Sequence, residues 1–226
     1  MAVDKSILII AGIVTLLLFI IIYSSNTLLN KGREKAVLER MENIVEDYKE
    51  MQATLLMVDV FGKEITCFAL SENLAKMDKS LWETGRKIDQ YRVATEQFMK
   101  DPFYLEQKRK FNINEVLYFT MFKEMKGLCE VNQTIILFFY RKKEECPDCD
   151  AQSFVLTDLK KEMDDEIALF SFDVDLSLSS IKVLTKFYNL TFYPCTVIED
   201  TPYCGLYDKD GIVKLLCEHK DLSVCT

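Results

Sequence analysis

Cys146-Pro147-Asp148-Cys149 is the segment of this chain whose residue types and spacing can do chemistry. A thiolate attacks a disulfide sulfur, and a second thiol nearby resolves the mixed disulfide that results. A thiol at a helix start faces unpaired N–H groups and the positive end of the helix dipole, which lowers its pKa. On this reading Cys146 is the nucleophile, Cys149 is the resolving thiol, and Pro147 and Asp148 open the helix. Other chemistries have few side chains to draw on. The single histidine, His219, argues against His-based metal sites and against Ser-His or Cys-His catalysis. It falls at the end of an expected helix, where it suits a surface partner of the helix dipole. A net charge of −8 and a pI near 4.9 leave no electrostatic footprint for nucleic acid. No metal or cofactor is expected.

The elements around the motif follow from periodicity. Thr134–Tyr140, TIILFFY, is a short apolar run rich in β-branched and aromatic residues and predicts a buried strand. A polar connector, RKKEE, leads to the cysteines, and Phe154, Val155, Leu159 and Met163 mark an amphipathic helix after them. Ile167–Asp173 predicts a second strand, Ser179–Tyr188 a helix, and Thr196–Ile198 a third strand. A short strand near Pro202-Tyr203 and a helix over Lys209–His219 finish the chain. The order is β-α-β-α-β-β-α.

That order, with a C-x-x-C between the first strand and its helix, resembles the thioredoxin superfamily. The residues that carry the resemblance are Cys146 and Cys149, Phe172-Asp173-Val174-Asp175, Tyr188-Asn189-Leu190, and Tyr193-Pro194. It spans about Val131 to Lys220. It implies an α/β unit with a central mixed sheet flanked by helices, and thiol–disulfide exchange with protein clients. It also implies that Tyr193-Pro194 is a cis-proline beside the active pair, presenting backbone to a client strand. The family's tryptophan before the first cysteine is absent, and Glu145 stands there. Glu144, Glu145, Asp148 and Asp150 oppose thiolate formation, and Lys142 and Lys143 offset this in part. The strand Thr134–Tyr140 lacks the buried acid that thioredoxins use to move protons. Cys195 directly follows Pro194, near the active pair or inert at the start of a core strand.

Upstream lies a helical half. Val37, Met41, Ile44, Tyr48, Met51, Leu55 and Val58 alternate steps of four and three, an a/d seam. Leu74, Met77, Leu81, Thr84, Ile88, Tyr91, Thr95 and Phe98 repeat it, with Ser71 as the expected cap. Asp101-Pro102 restarts a helix that runs to about Gly127, its seam formed by Phe111, Asn114, Tyr118, Met121, Met125 and Leu128. The result is an antiparallel hairpin turning near Asp101. Cys67 and Cys129 then meet at its open end, a structural disulfide candidate. Cys195, Cys204, Cys217 and Cys225 allow three connectivities among themselves, with a Cys217–Cys225 link across the last helix end a purely structural option.

No charge occurs from Ser6 to Asn30, and Ile7–Tyr23 is almost wholly apolar, so an uncleaved transmembrane anchor is expected. The segment is too long for a signal peptide and lacks an A-x-A site. The expected plan is an anchor over 1–30, a helical hairpin or coiled-coil unit over 31–129, and the thioredoxin-like unit over 130–226. Residues 31–128 hold 17 basic and 17 acidic side chains and residues 129–226 hold 10 and 18, which supports a boundary near 129. Anchor, hairpin and α/β unit together resemble membrane-anchored archaeal proteins.

Eight cysteines favour an oxidising compartment, whereas Lys31, Arg33, Lys35 and Arg40 beside the anchor favour a cytoplasmic body. The two sequons, Asn132-Gln-Thr134 and Asn189-Leu-Thr191, add little. We read a single-pass plasma-membrane protein with an extracytoplasmic domain, and heptad seams that leave homodimerisation open. Two functions compete: a thiol–disulfide oxidoreductase, or a binding scaffold whose C-x-x-C is a structural disulfide. A thiolate metal site from Cys146, Cys149 and Cys195 is a third, less supported option because it lacks a fourth ligand.

Overall fold

The computed structural model describes residues 5–93 and 101–225. Helix α1 (Lys5–Leu56) is continuous, so the apolar segment and the first seam form one element. Among the described residues it is the one helix long and apolar enough to cross a membrane. Its large side chains from Ile9 to Tyr23 are exposed, whereas Val37, Met41, Ile44 and Met51 are buried. A short α2 (Val58–Phe61) follows, ended by Gly62 at φ 87°, a left-handed conformation that glycine adopts without a Cβ clash.

Helix α3 (Lys63–Val93) starts before Ser71. Ser71 therefore lies inside the helix, and its hydroxyl donates to the Cys67 carbonyl one turn back rather than capping a terminus. Leu74, Met77, Leu81, Thr84 and Ile88 are buried along the seam. The Tyr91 side chain, Thr95 and Phe98 lie outside the described residues. Helix α4 (Pro102–Leu128) has Asp101 as its N-cap, accepting from the Phe103 N–H at 2.9 Å, with Pro102 in the first turn. Tyr118, Met121 and Met125 are buried on its seam, whereas Leu128 is exposed.

The second half contains β1 (Thr134–Tyr140), α5 (Cys149–Glu162), β2 (Ile167–Asp173), α6 (Ser179–Phe187), β3 (Cys195–Ile198), β4 (Thr201–Cys204) and α7 (Lys209–His219). The sheet order is β2-β1-β3-β4, with β1 parallel to β2 and antiparallel to β3, and β3 antiparallel to β4. Successive side chains of β1 alternate faces. Ile135, Leu137 and Phe139 join a core shared with α1, α3 and α4, while Ile136 and Phe138 pack with α5 and α7.

Strand β2 ends the sheet, and α4 covers its outer edge. The Ser171 N–H donates to Glu115 Oε1 at 3.0 Å, and the Asp173 N–H donates to Asn112 Oδ1 at 2.8 Å. Two side chains one turn apart on α4 thus satisfy backbone groups that an edge strand otherwise leaves unpaired. The helical half and the sheet are held together by the shared core, by this edge and by the buried Lys160. Its ammonium reaches Asp78 of α3 at 3.0 Å, as well as the Asp164 and Ile167 carbonyls.

Candidate functional site: the Cys146–Cys149 turn

Strand β1 delivers the chain into a tight turn. The N–H groups of Glu145 and Cys146 both donate to the Lys142 carbonyl at 2.9 Å, and the Cys149 N–H donates to the Cys146 carbonyl at 3.2 Å. Helix α5 begins at Cys149 with Asp148 in the N-cap position. Pro147 lies in the turn before it rather than in the first helical turn. Cys146 and Cys149 are disulfide-bonded, with Cα atoms 5.4 Å apart.

The Arg141 N–H donates to Cys149 Sγ at 3.4 Å. That backbone is held by Asp175, just past the β2 strand end. Asp175 accepts from Arg141 Nε at 2.8 Å, Arg141 Nη2 at 2.7 Å and the Lys142 N–H at 2.8 Å. The Arg141 guanidinium also pairs with Glu145, so one of the acids expected to oppose a thiolate is matched by a cation. Asp173, whose side chain pairs with Lys108, accepts from the Asp175 N–H at 2.9 Å. Burial opposes the Lys108 charge, but Tyr140 and Asp173 hold its pKa above the ordinary lysine value.

The Tyr193-Pro194 bond is cis. The Tyr193 phenol is pushed up by burial, and Arg141 and Asp175 both act on it, so it stands within their electrostatic reach. Cys195 begins β3 and is bonded to Cys204 directly opposite on β4, which leaves no thiolate trio with Cys146 and Cys149. Cys67–Cys129 and Cys217–Cys225 are the remaining disulfides. His219 lies at the exposed end of α7 against the Tyr203 hydroxyl, 2.9 Å away.

The arrangement departs from the sequence reading in exposure. An attacking pair calls for an accessible Cys146, yet Cys146 is 1% and Cys149 3% exposed. The hydrogen-bonded turn folds both under the exposed side chains of Lys142 to Glu145, Pro147 and Asp148. The site also includes a group that the reading of β1 alone misses. Glu115 of α4 lines a cavity that Cys149 also lines, and burial pushes its carboxyl up to about 8 against the opposing Ser171 N–H and Lys108. The signal was an acid set between Asn114, on the α4 seam, and the apolar pair Val116 and Leu117.

No family model and no curated protein matches the chain. Among solved structures, part of the chain is similar to a thioredoxin. That structure is thioredoxin-2, described as a component of malaria parasite protein secretion machinery. It is 20% identical with a TM-score of 0.34, over 39% of this chain and 84% of that one. A malarial protein is 20% identical with a TM-score of 0.35, over 40% of this chain and 100% of that one. The mixed four-stranded sheet flanked by helices, and a bonded C-x-x-C pair at a strand-to-helix turn, stand on the chain's own geometry.

Proposed function

We propose that residues 130–226 form a thioredoxin-like unit, tethered by the apolar segment of α1 through the helical unit 31–129, that exchanges disulfides with extracytoplasmic protein clients. The observation that carries this reading is the Cys149 sulfur, bonded to Cys146 where a strand passes into a helix and receiving the Arg141 N–H. A client thiolate attacks Cys146 Sγ, the Cys146–Cys149 bond breaks, and Cys149 leaves as a thiolate that this N–H stabilises. A second client thiolate then attacks the mixed disulfide and expels Cys146. The client gains a disulfide, and the pair takes up two electrons. The reverse sequence reduces a client. Tyr193 and Pro194 supply the client-facing backbone in this account. Four disulfides using all eight cysteines support an oxidising compartment, and hence an extracytoplasmic body on a single-pass plasma-membrane anchor.

The burial of Cys146 favours a second reading, a binding scaffold in which the pair is a structural disulfide. A Cys149→Ser variant of the full chain, expressed in membranes, separates the two. Mixed disulfides through Cys146 support exchange. Their absence, together with a Cys146–Cys149 bond that resists mild reductant in the native chain, supports the scaffold.

A further inference from the structure

Two N-x-[ST] triplets occur in the chain, and their surroundings differ. Asn132-Gln133-Thr134 runs into the central strand. Thr134 is 0% exposed, pairs with Ile167 across β1 and β2, and donates its N–H to the Glu166 carbonyl at 2.8 Å. The Asn132 carboxamide is engaged as well, its Oδ1 accepting from Lys220 Nζ at 3.1 Å. Asn189-Leu190-Thr191 lies in the connection between α6 and β3. Asn189 and Thr191 are both exposed, and neither side chain has a hydrogen-bond partner among the described residues. Backbone geometry accounts for the asparagine. It sits at φ 52°, one residue past the α6 cap, where its N–H donates to the Lys186 carbonyl at 3.2 Å and the Leu190 N–H donates to the Thr185 carbonyl at 2.9 Å. Glycine is the commonest residue at that place in a helix end, with asparagine the alternative. Helix termination asks nothing of position 191, yet an exposed threonine stands there, at the spacing an N-glycosylation acceptor needs.

We propose that Asn189 is an N-glycosylation site whose donor is a polyprenyl-linked oligosaccharide. Asn189 Nδ2 attacks the anomeric carbon of the first sugar. The N–C bond forms, and the C–O bond to the lipid phosphate breaks. The amide gives up one proton, and the polyprenyl phosphate or pyrophosphate leaves with the electron pair. Nothing is oxidised or reduced. Acceptor triplets of this kind belong to surface loops of exported chains. The site therefore rests on the extracytoplasmic reading, and it is independent of whether Cys146 and Cys149 exchange. Asn132 is the internal comparison, because it has the same triplet with its threonine sealed in the sheet.

The test isolates the full chain from the membranes of its own cells and maps intact glycopeptides by mass spectrometry. The expected result is a sugar mass on the Asn189 peptide and a bare Asn132 peptide. Thr191→Ala, at an exposed position, should lower Asn189 occupancy at least tenfold. A second arm offers the purified full chain, folded in lipid nanodiscs, to a single-subunit oligosaccharyltransferase and its polyprenyl-linked oligosaccharide. Transfer to Asn189 should then be at least tenfold faster than to Asn132. Protease added to intact protoplasts reads which side of the membrane the body occupies. A bare Asn189 on a protease-accessible body overturns the glycosylation site alone. A bare Asn189 on a protected body overturns it together with the extracytoplasmic reading. Sugar on Asn132 in place of Asn189, unchanged occupancy in Thr191→Ala, or equal transfer rates at the two asparagines would each overturn the proposal. The native-chain map needs no variant, so the proposal stays falsifiable even where Thr191→Ala fails to fold.

Discussion

The backbone N–H of Arg141 meets the sulfur of Cys149 at 3.4 Å, and the carboxylate that fixes this backbone belongs to Asp175, beyond the neighbouring strand. The surroundings of the Cys146–Cys149 bond are therefore set in part by a residue far from it in sequence. Asp175→Ala removes the acceptor for two Arg141 donors and for the Lys142 N–H. The expected outcome is a loss of about 1–3 kcal/mol in stability. A five- to tenfold change in the rate at which dithiothreitol reduces Cys146–Cys149 should accompany it, followed by alkylation and mass spectrometry. An unchanged rate would remove Arg141 and Asp175 from the account of the site.

Glu115 gives a pH dependence with a defined sign. Burial pushes its carboxyl up to about 8 in the fold, against an ordinary value of 4.5. Between those values the unfolded chain has released the proton and the fold still holds it, so the contribution is complete below 4.5 and disappears by about 8. The upper bound is roughly 5 kcal/mol, at about 1.4 kcal/mol per pH unit. Denaturant unfolding across this range should show stability falling as pH rises, and Glu115→Gln should flatten that component of the slope.

Lys160 is 2% exposed and bridges the two halves through Asp78. Burial raises the Asp78 pKa while Lys160 lowers it, so each partner leaves the other stranded if removed. Lys160→Met should cost about 3–5 kcal/mol. Lys160→Met with Asp78→Leu should recover much of that loss, as measured by chemical denaturation. A double variant no better than the single would mean the lysine acts mainly through the Asp164 and Ile167 carbonyls.

Cys67–Cys129 closes a segment with a sequence separation of 62. Chain entropy alone assigns about 4 kcal/mol to a loop of that size. Replacing both cysteines with alanine should lower Tm of the helical signal while leaving Cys146–Cys149 bonded, as peptide mapping without reductant would reveal.

Most of the α/β half can be read directly from the residues. TIILFFY and IALFSFD are apolar runs too short for helices, and they fall on β1 and β2 to the residue. The heptad seams likewise mark Val37, Met41, Ile44 and Met51 of α1, Leu74, Met77, Leu81 and Ile88 of α3, and Tyr118, Met121 and Met125 of α4 as buried, whereas Tyr48 and Leu55 are half-buried and Leu128 is exposed. What could not be read depended on partners distant in the chain. Ser71 resembles a cap because a hydroxyl before an apolar run serves equally well one turn inside a helix, where it bonds backwards. The Cys195–Cys204 bond depends on the β3–β4 register, which four cysteines cannot select. The burial of the C-x-x-C pair comes from the turn's hydrogen bonds, and Glu115 became a site residue only through the docking of α4 on the β2 edge.

The unbroken course of α1 has a mechanical consequence. From Lys31 to Leu56 it extends about 40 Å at 1.5 Å per residue, with no hinge between the apolar stretch and the seam that packs on α3. The lever has no swivel. On the proposed reading of the apolar stretch as an anchor, a lean of that end is carried along one continuous helix toward the body, whose bearing and standoff from a bilayer then follow from helix geometry, not from a slack leash.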